Sequence, residues 1–265
     1  MGKFSSYEFS HAIVRKPGLS VAKGLRDNSI KDPDPETFKS EHAGYVSALR
    51  QAGVDVTELE PLEGFPDSVF IEDPVLCIKG TAIVLRPGAQ SRFGERDTLR
   101  DTLKSVFARV IDLPEGGFVD GGDILVTERE VLIGLSARTD LAGAELLKPI
   151  VSDLGMSLRI AQTPAEILHF KTECGLLDEN TIFATKAILK SGCFADYEVI
   201  ECPEGEEAAA NLIRVNSAVL LSAGFSETAA LLRTSGYQVI ELPTTQAALV
   251  DGGLSCMSLR FTSDV

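Results

Sequence analysis

The sequence predicts an α/β protein built from a repeated strand–strand–helix–strand unit. Pairs of apolar strands follow one another closely in four segments, which start at Ser68, Gly117, Ile167 and Asn211. These starts lie 49, 50 and 44 residues apart. A repeat of this length is typical of supersecondary units that stack or radiate from a common centre.

Amphipathic helical patterns separate the strand pairs, at residues 96–110, 140–155 and 226–236, and an earlier one spans 36–53 and ends at Gly53. The opening strand "HAIVRKP" (11–17) and the last strand "LSCMSLRF" (254–261) could pair and close a ring. Five units in such a ring would form an α/β propeller with a central cavity. An open α/β sheet fits the same pattern equally well.

Composition excludes several classes of protein. The chain has 265 residues, 44% of them hydrophobic, and a net charge of -14, which argues against nucleic acid as a partner because phosphate binding needs clustered cations. The start of the sequence does not resemble a secretory leader, and no apolar run is long enough to span a membrane. The five cysteines are odd in number and form no CxxC pair, so we expect thiols in a cytoplasmic, reducing compartment.

The segment 16–37 contains three prolines and several aspartates directly after the first strand. Long irregular segments in compact domains are often lids or binding loops. We therefore predict a lid at 16–37, with an ordinary surface loop as the alternative. The chain shows no break in composition, so we expect residues 1–265 to form a single domain.

Cys256 lies in the segment "DGGLSCMSLRF", behind Gly252 and Gly253. Glycines permit a close backbone approach to a ligand, and a thiol that is ionised is a strong nucleophile. The alternative is a small buried hydrophobic residue, which is the role of most free cysteines. The same segment therefore suggests a nucleophile without requiring one.

Only three histidines are available for acid–base chemistry, and we place His11 at the start of a strand and His42 on the polar face of a helix. His169 is predicted inside an apolar strand near polar residues, as a catalyst or as a core histidine. Asp120 and Asp123 flank two glycines directly before a strand, which predicts either an inward-pointing acid or a simple Asp-Gly turn. Histidine and cysteine are too scattered to predict a metal site.

Three acids interrupt the apolar segment "FPDSVFIEDP" (65–74), namely Asp67, Glu72 and Asp73. Buried carboxylates need a cationic partner, which can be an arginine or the guanidinium of a ligand. Arginines follow at positions 86, 92, 96 and 138, and an arginine can hold a carboxylate with two parallel hydrogen bonds. Acids at one end and arginines at the other suit a small-molecule substrate such as arginine or a derivative of it.

Six motifs resemble, in their order, those of the dimethylarginine dimethylaminohydrolases: "FPDSVFIEDP", "RPGAQSRFGE", "VDGGDILV", "GLSARTD", "LHFKT" and "DGGLSCMSLRF". The resemblance covers about His11 to Phe261. It implies a five-bladed pseudo-symmetric α/β propeller and the hydrolysis of Nω-methylated arginine to citrulline without a cofactor. It also implies a covalent thiouronium intermediate on the cysteine.

The resemblance implies a role for each site residue. Cys256 matches the nucleophile, His169 the general acid and base, and Asp120 the acid that orients the histidine. Asp73 matches the acid that binds the guanidinium, with help from Asp67, Glu72 and Asp251. Arg92 and Arg138 match the pair that binds the substrate carboxylate, and the carbonyl groups of Leu25 and Val250 match those that hold the α-amine.

Other functions use the same residues. Arginine deiminase and agmatine deiminase share the nucleophile, base and acids, although a decarboxylated substrate would not need the two arginines. A non-catalytic arginine-binding protein is expected to lose the cysteine or the histidine, and both are present. A thiol sensor centred on Cys256 and a homodimer formed through an exposed propeller edge are further possibilities.

Overall fold

The computed structural model describes residues 4–26 and 31–263. These residues form five three-stranded sheets, which together make the five blades of an α/β propeller. The first strands of the blades are β3 (Val75–Ile78), β6 (Ile124–Val126), β9 (Cys174–Leu176), β12 (Ile213–Val215) and β15 (Ser258–Phe261). The middle strands are β4 (Thr81–Val84), β7 (Glu130–Leu135), β10 (Thr181–Ala184), β13 (Ala218–Ser222) and β1 (His11–Arg15). The third strands are β5 (Arg109–Asp112), β8 (Ser157–Gln162), β11 (Glu198–Glu201), β14 (Gln238–Leu242) and β2 (Asp55–Leu59).

Each blade has the same topology. The first two strands pair antiparallel and the third pairs parallel to the middle one. A parallel pair requires a crossover, and one helix supplies it in every blade. These helices are α1 (Pro35–Gln51), α2 (Arg100–Val106), α3 (Leu141–Asp153), α4 (Lys186–Leu189) and α5 (Ser226–Thr234). The predicted strand–strand–helix–strand unit is therefore confirmed.

The two ends of the chain close the ring. Strand β1 pairs antiparallel with β15, so that His11 lies opposite Phe261 and Val14 opposite Ser258. Inside this blade the hydroxyl of Tyr45 on α1 lies 2.6 Å from that of Ser258. The pairing that the sequence suggested is present, and it selects the propeller over the open sheet.

Local sequence explains the elements. The middle strands β4, β10 and β13 are wholly buried and consist mainly of apolar and β-branched residues, as expected of strands covered on both faces. Side chains of Asp34, Asp140 and Thr185 accept hydrogen bonds from backbone N–H groups and cap the starts of α1, α3 and α4. Gly53 takes a positive φ of 88° just after α1, where glycine is favoured.

Two predictions about the N-terminal part need correction. His42 is buried on the inner face of α1, not on its polar face, because it shares the helical spacing of Phe38, Tyr45 and Leu49. The segment 16–37 is not wholly irregular, since Leu19–Lys23 form a 3-10 turn and α1 starts at Pro35. Residues 27–30 of the predicted lid lie outside the described residues.

Among the residues described, no helix is long and apolar enough to cross a membrane.

Candidate active site

A narrow pocket brings together nine of the eleven residues predicted for the site. Its volume is about 30 Å³, well below the roughly 300–1,000 Å³ typical of small-molecule sites. The predicted residues that line it are Leu25, Asp67, Asp73, Arg92, Arg138, His169, Val250, Asp251 and Cys256. Phe70, Leu168 and Gly252 complete the wall.

Cys256 lies in a short 3-10 turn, Ser255–Met257, directly before strand β15. Gly252 lines the pocket, and Gly252 and Gly253 both allow close packing around the turn. A Cβ on Gly252 would come within 2.1 Å of the Phe70 ring, and one on Gly253 within 2.4 Å of the Asn211 side chain. Both glycines therefore allow the nucleophile turn to press against its neighbours.

The Cys256 thiol is buried, and it is protonated at neutral pH. Burial, followed by the negative charges of Asp73 and Glu72, raises the pKa of this thiol to about 11. Only weak donors oppose this, because the Asn211 amide nitrogen lies 3.9 Å from Sγ and the Ser255 hydroxyl lies 3.8 Å away. A positive charge brought into the pocket would favour the thiolate.

His169 and Asp120 form a buried pair. The Nε2 atom of His169 lies 3.1 Å from Oδ2 of Asp120, and the other carboxylate oxygen accepts a 2.7 Å hydrogen bond from the backbone N–H of Gly88. Asp120 does not line the pocket but lies behind the imidazole. Asp120 is fully buried, and a Cβ on Gly122 would lie 2.7 Å from Nδ1 of His169, so the backbone passes close to the imidazole.

The environment keeps His169 protonated. Burial alone would lower its pKa, but the charge of Asp73, the hydrogen bond to Asp120 and the charge of Asp123 raise it to about 9. The free site at neutral pH therefore contains a thiol and an imidazolium. His169 does not lie in a strand as predicted; it precedes the 3-10 turn Phe170–Thr172, and strand β9 begins only at Cys174.

Asp73 and Arg92 are paired beneath the pocket. Nη1 of Arg92 contacts Oδ2 of Asp73, while Nε and Nη2 bind the buried carboxylate of Glu95. The second oxygen of Asp73 accepts a 3.0 Å hydrogen bond from the N–H of Gly122. Although burial favours a neutral carboxyl, the charges of Arg92 and His169 hold the pKa of Asp73 below its usual value.

The remaining wall offers an arginine and several backbone groups. The Arg138 guanidinium has no carboxylate within ion-pair distance among residues 4–26 and 31–263, so it is open to a ligand. Asp67 accepts a 2.8 Å hydrogen bond from the N–H of Leu25, which ties the predicted lid to the pocket. Val250 is the last residue of a 3-10 turn that also lines the pocket, and Asp251 follows it with a positive φ of 53°.

Glu72 is the predicted residue that the structure does not place in this pocket. Its Oε1 atom lies 2.9 Å from Nη2 of Arg260 and 2.5 Å from Nζ of Lys171. Its neighbour Asp73 lines the pocket, whereas Glu72 lines a separate, larger cavity. Glu72 therefore faces a second cavity and is not in position to bind the same guanidinium.

Two residues that sequence reasoning did not assign support the site. Asn211 Oδ1 accepts a 3.0 Å hydrogen bond from the N–H of Ser255 and so fixes the nucleophile turn. Asp123 accepts a 2.8 Å hydrogen bond from the N–H of Phe170 and so fixes the segment that carries His169. The position of Asp123 in "VDGGD" was a signal of its role, whereas nothing in the sequence near Asn211 pointed to Cys256.

Asp73, Asp120 and His169 are close enough together to ligate a metal ion, since their ligand atoms lie within 4.8 Å of one another. Asp73 already pairs with Arg92, and Asp120 accepts a hydrogen bond from the N–H of Gly88 and pairs with His169. The arrangement suits proton transfer and the binding of a cationic group, with a thiol facing both.

Comparisons with known proteins agree with this geometry. A family model described as N,N dimethylarginine dimethylhydrolase, eukaryotic, matches residues 27–168. The N(G),N(G)-dimethylarginine dimethylaminohydrolase of Pseudomonas aeruginosa is 39% identical over 254 residues, which cover 96% of this chain and 100% of that protein. The corresponding enzyme of Streptomyces coelicolor is 28% identical and covers 94% of this chain and 96% of its own.

Solved structures share the fold. The Pseudomonas aeruginosa enzyme, as a Cys-to-Ser mutant complexed with citrulline, has a TM-score of 0.93 at 39% identity, over 96% of this chain and 100% of that chain. The N-terminal domain of ArgZ, a cyanobacterial arginine dihydrolase bound to its product, has a TM-score of 0.86 at 17% identity. It covers 96% of this chain and 97% of its own, and this second likeness concerns the fold alone.

The fold and the pocket define a class first: five-bladed α/β propellers with a buried thiol, imidazole and carboxylate in one pocket. The 39% identity to the Pseudomonas aeruginosa enzyme, over 96% of this chain, then identifies the family within that class. This chain belongs to the dimethylarginine dimethylaminohydrolase family and is a hydrolase of that family.

Proposed function

We propose that the protein hydrolyses Nω-methylated arginine to citrulline and dimethylamine or methylamine, with Cys256 as the nucleophile. The observation that carries the proposal is the grouping of Cys256, His169 with Asp120, and Asp73 around a single pocket. A thiol, an imidazolium and a carboxylate are the groups that attack on a guanidinium carbon requires.

Substrate binding follows from the charges of the wall. The guanidinium binds to Asp73, with Asp67 beside it, and the carboxylate binds to Arg138. For Arg92 to join Arg138, its Nη1 must turn away from Asp73, and this movement also releases Asp73 for the guanidinium. The carbonyl groups of Leu25 and Val250 accept the α-ammonium group, and Asp251 lines the same pocket.

The cationic substrate prepares the nucleophile. Its guanidinium offsets the negative charge of Asp73, which is one cause of the raised thiol pKa. The thiol then loses its proton to solvent, and the thiolate attacks the guanidinium carbon. Because the proton leaves only when substrate is bound, the free enzyme keeps its cysteine protonated and less reactive.

His169 carries the remaining proton transfers. As an imidazolium it protonates the methylated nitrogen, the C–N bond breaks, and a thiouronium stays on Cys256. The neutral imidazole then takes a proton from water, which attacks the same carbon, and the thiolate leaves as citrulline forms. Asp120 holds the ring in position for both steps, and no step calls for a cofactor.

The test is release of the ureido product, which is citrulline from asymmetric dimethylarginine, monomethylarginine and arginine, and N-carbamoylputrescine from agmatine. We expect release from the methylated substrates and none from the Cys256→Ser variant. Faster release from arginine or agmatine would move the protein to the deiminases. No release from any of the four would contradict the hydrolase proposal and favour an arginine-binding protein or a thiol sensor.

We also propose that residues 1–265 act as a single catalytic domain with a lid at 16–37. The hydrogen bond from Leu25 to Asp67 and the small pocket volume support a wall that opens for substrate. The five free thiols suit a cytoplasmic location. A homodimer formed through a blade edge stays a prediction, which light scattering after size-exclusion chromatography would check.

A further inference from the structure

A second cavity is larger than the pocket that contains Cys256 and does not include that residue. It has a volume of about 770 Å³, within the range typical of small-molecule sites, and shares no lining residue with the Cys256 pocket. The first strands of the five blades, β3, β6, β9, β12 and β15, all contribute to its wall. We call it the rear cavity, because it lies behind the residues that carry the catalytic groups.

The rear cavity has an excess of positive charge in an acidic protein. Four cationic side chains and two carboxylates line it, while the whole chain carries a net charge of -14. These residues are Lys79, Lys171, Arg214, Arg260, Glu8 and Glu72. A local excess of cations favours an anionic ligand.

The charge imbalance is largest at the floor of the rear cavity, which Glu72, Lys171 and Arg260 form. Lys171 and Arg260 share a single carboxylate oxygen, Oε1 of Glu72, at 2.5 and 2.9 Å. Nη1 of Arg260 is engaged by the carbonyl of Ser255 and by Ser258, but Lys171 has no second carboxylate among the described residues. One positive charge in this buried group is therefore uncompensated, and a buried charge needs a partner.

The walls above the floor are more apolar than polar, although several serines, Asn216 and Thr262 also line them. They consist in large part of aliphatic side chains from the inner strands, namely Leu76, Ile78, Ile124, Leu125, Leu176 and Ile213. A ligand that matches both parts has a single negative group and a hydrophobic body, since apolar surface gains from leaving water.

The floor is also the partition between the two cavities. Glu72 faces the rear cavity and Asp73 the pocket, and Ser255 and Cys256 are divided in the same way. The charge of Glu72 already acts on the Cys256 thiol across this partition. A ligand at the floor is therefore placed to influence the site, although its binding does not depend on catalysis.

We propose that the rear cavity is a binding site for a small monocarboxylate with an apolar chain, whose carboxylate pairs with Lys171. This site is separate from the substrate pocket, and it takes a ligand of the opposite charge from the guanidinium that the pocket accepts.

Calorimetric titration of the Cys256→Ser protein with hexanoate tests the proposal, with hexanol and hexylammonium as matched neutral and cationic probes. We expect hexanoate to bind best. Lys171→Met should weaken its affinity by about tenfold, which corresponds to loss of one charge-assisted contact, and Lys171→Arg should preserve it. Lys104→Met, an exposed lysine on α2, is the control and should change nothing.

Methyl NMR of the same protein locates the ligand without relying on any variant's folding. Hexanoate should shift the methyl signals of Ile78, Ile124 and Ile213 in the rear cavity and leave those of Leu168 and Val250 in the pocket in place. Shifts confined to the pocket, equal binding of the three probes, or no binding at millimolar concentration would each overturn the proposal.

Discussion

The charge states of Cys256 and His169 govern the proposed reaction at the scale of single residues. The thiol and the imidazole have pKa values of about 11 and about 9, so both groups hold a proton at neutral pH. The acid for the leaving amine is therefore in place before substrate arrives, whereas the nucleophile forms only afterwards. Asp73 connects the two, because its charge raises both pKa values.

Replacing Asp120 with asparagine should impair the acid. Asp120→Asn removes the negative charge next to Nε2 of His169 but can keep the hydrogen bond from Gly88. We expect kcat to fall roughly 10²–10⁴-fold and the alkaline limit of activity to move to lower pH, because the pKa of His169 falls. The pH–rate profile measures both effects. Asp97→Asn, at an exposed position, is the control, and an unchanged alkaline limit in Asp120→Asn would contradict the assigned role.

Replacing Asn211 with aspartate should disfavour the thiolate. Asn211→Asp keeps an acceptor for the N–H of Ser255, so the turn stays in place, but it replaces a donor near Sγ with a negative charge. The pKa of Cys256 should rise further. The rate of alkylation by iodoacetamide as a function of pH measures this pKa, and an unchanged profile would show that Asn211 only holds the turn.

The sequence pointed to residues that the structure brings together, but it did not show which way each side chain points. The motif acids Asp67, Asp73 and Asp120 all lie at or behind the pocket, whereas Glu72 faces away from it. Hydrophobic neighbours indicate that an acid is buried, but they do not say on which side of the backbone it lies. Asn211 could not be identified from the sequence, because it lies 45 residues from Cys256 and only the arrangement of the blades around the propeller brings the two together.

At the scale of elements, short 3-10 turns place the catalytic groups just before the inner strands. Cys256 precedes β15, His169 precedes β9, and Asp120 precedes β6. The sequence predicted strands over His169 and over Ser255–Met257, because these segments are buried and adjoin apolar strands. Val69, Phe70 and Ile71, for example, read as a strand but belong to turns before β3.

The close packing of the nucleophile turn gives a testable consequence. In Gly252→Ala the new Cβ would come within 2.1 Å of the Phe70 ring, so the turn and Cys256 must shift. We expect a loss of about 1–3 kcal/mol in the free energy of unfolding and a marked fall in kcat. Urea unfolding and steady-state kinetics measure the two effects. Gly64→Ala is the control, since a Cβ there meets no atom within 4 Å.

At the scale of the whole molecule, closure of the ring creates both cavities. The strand period indicated the repeated unit, but only the pairing of β1 with β15 distinguishes a closed ring from an open sheet. That pairing joins residues at opposite ends of the chain, and local patterns carry little information about such contacts. The closed ring was expected to enclose a central cavity, but the residues that line it could not be predicted, since five separate strands form its wall.

The pH dependence of stability should reflect the buried site as a whole. Folding raises the pKa of His169 from 6.5 to about 9, so the imidazolium contributes stability that is complete below pH 6.5 and is lost as pH rises through 9. The raised thiol pKa of Cys256 acts in the same direction above pH 9. Thermal unfolding should show Tm falling between neutrality and pH 9. A Tm that is flat across this range would contradict a charged His169.

The most direct test of the account is mass spectrometry of the protein quenched with acid during turnover of asymmetric dimethylarginine. We predict a transient adduct on the peptide that contains Cys256, with a gain in neutral mass equal to neutral asymmetric dimethylarginine minus dimethylamine. The same adduct should be absent from Cys256→Ser. Citrulline formation without an adduct on Cys256, or with one on another cysteine such as Cys77, would contradict the assignment of the nucleophile.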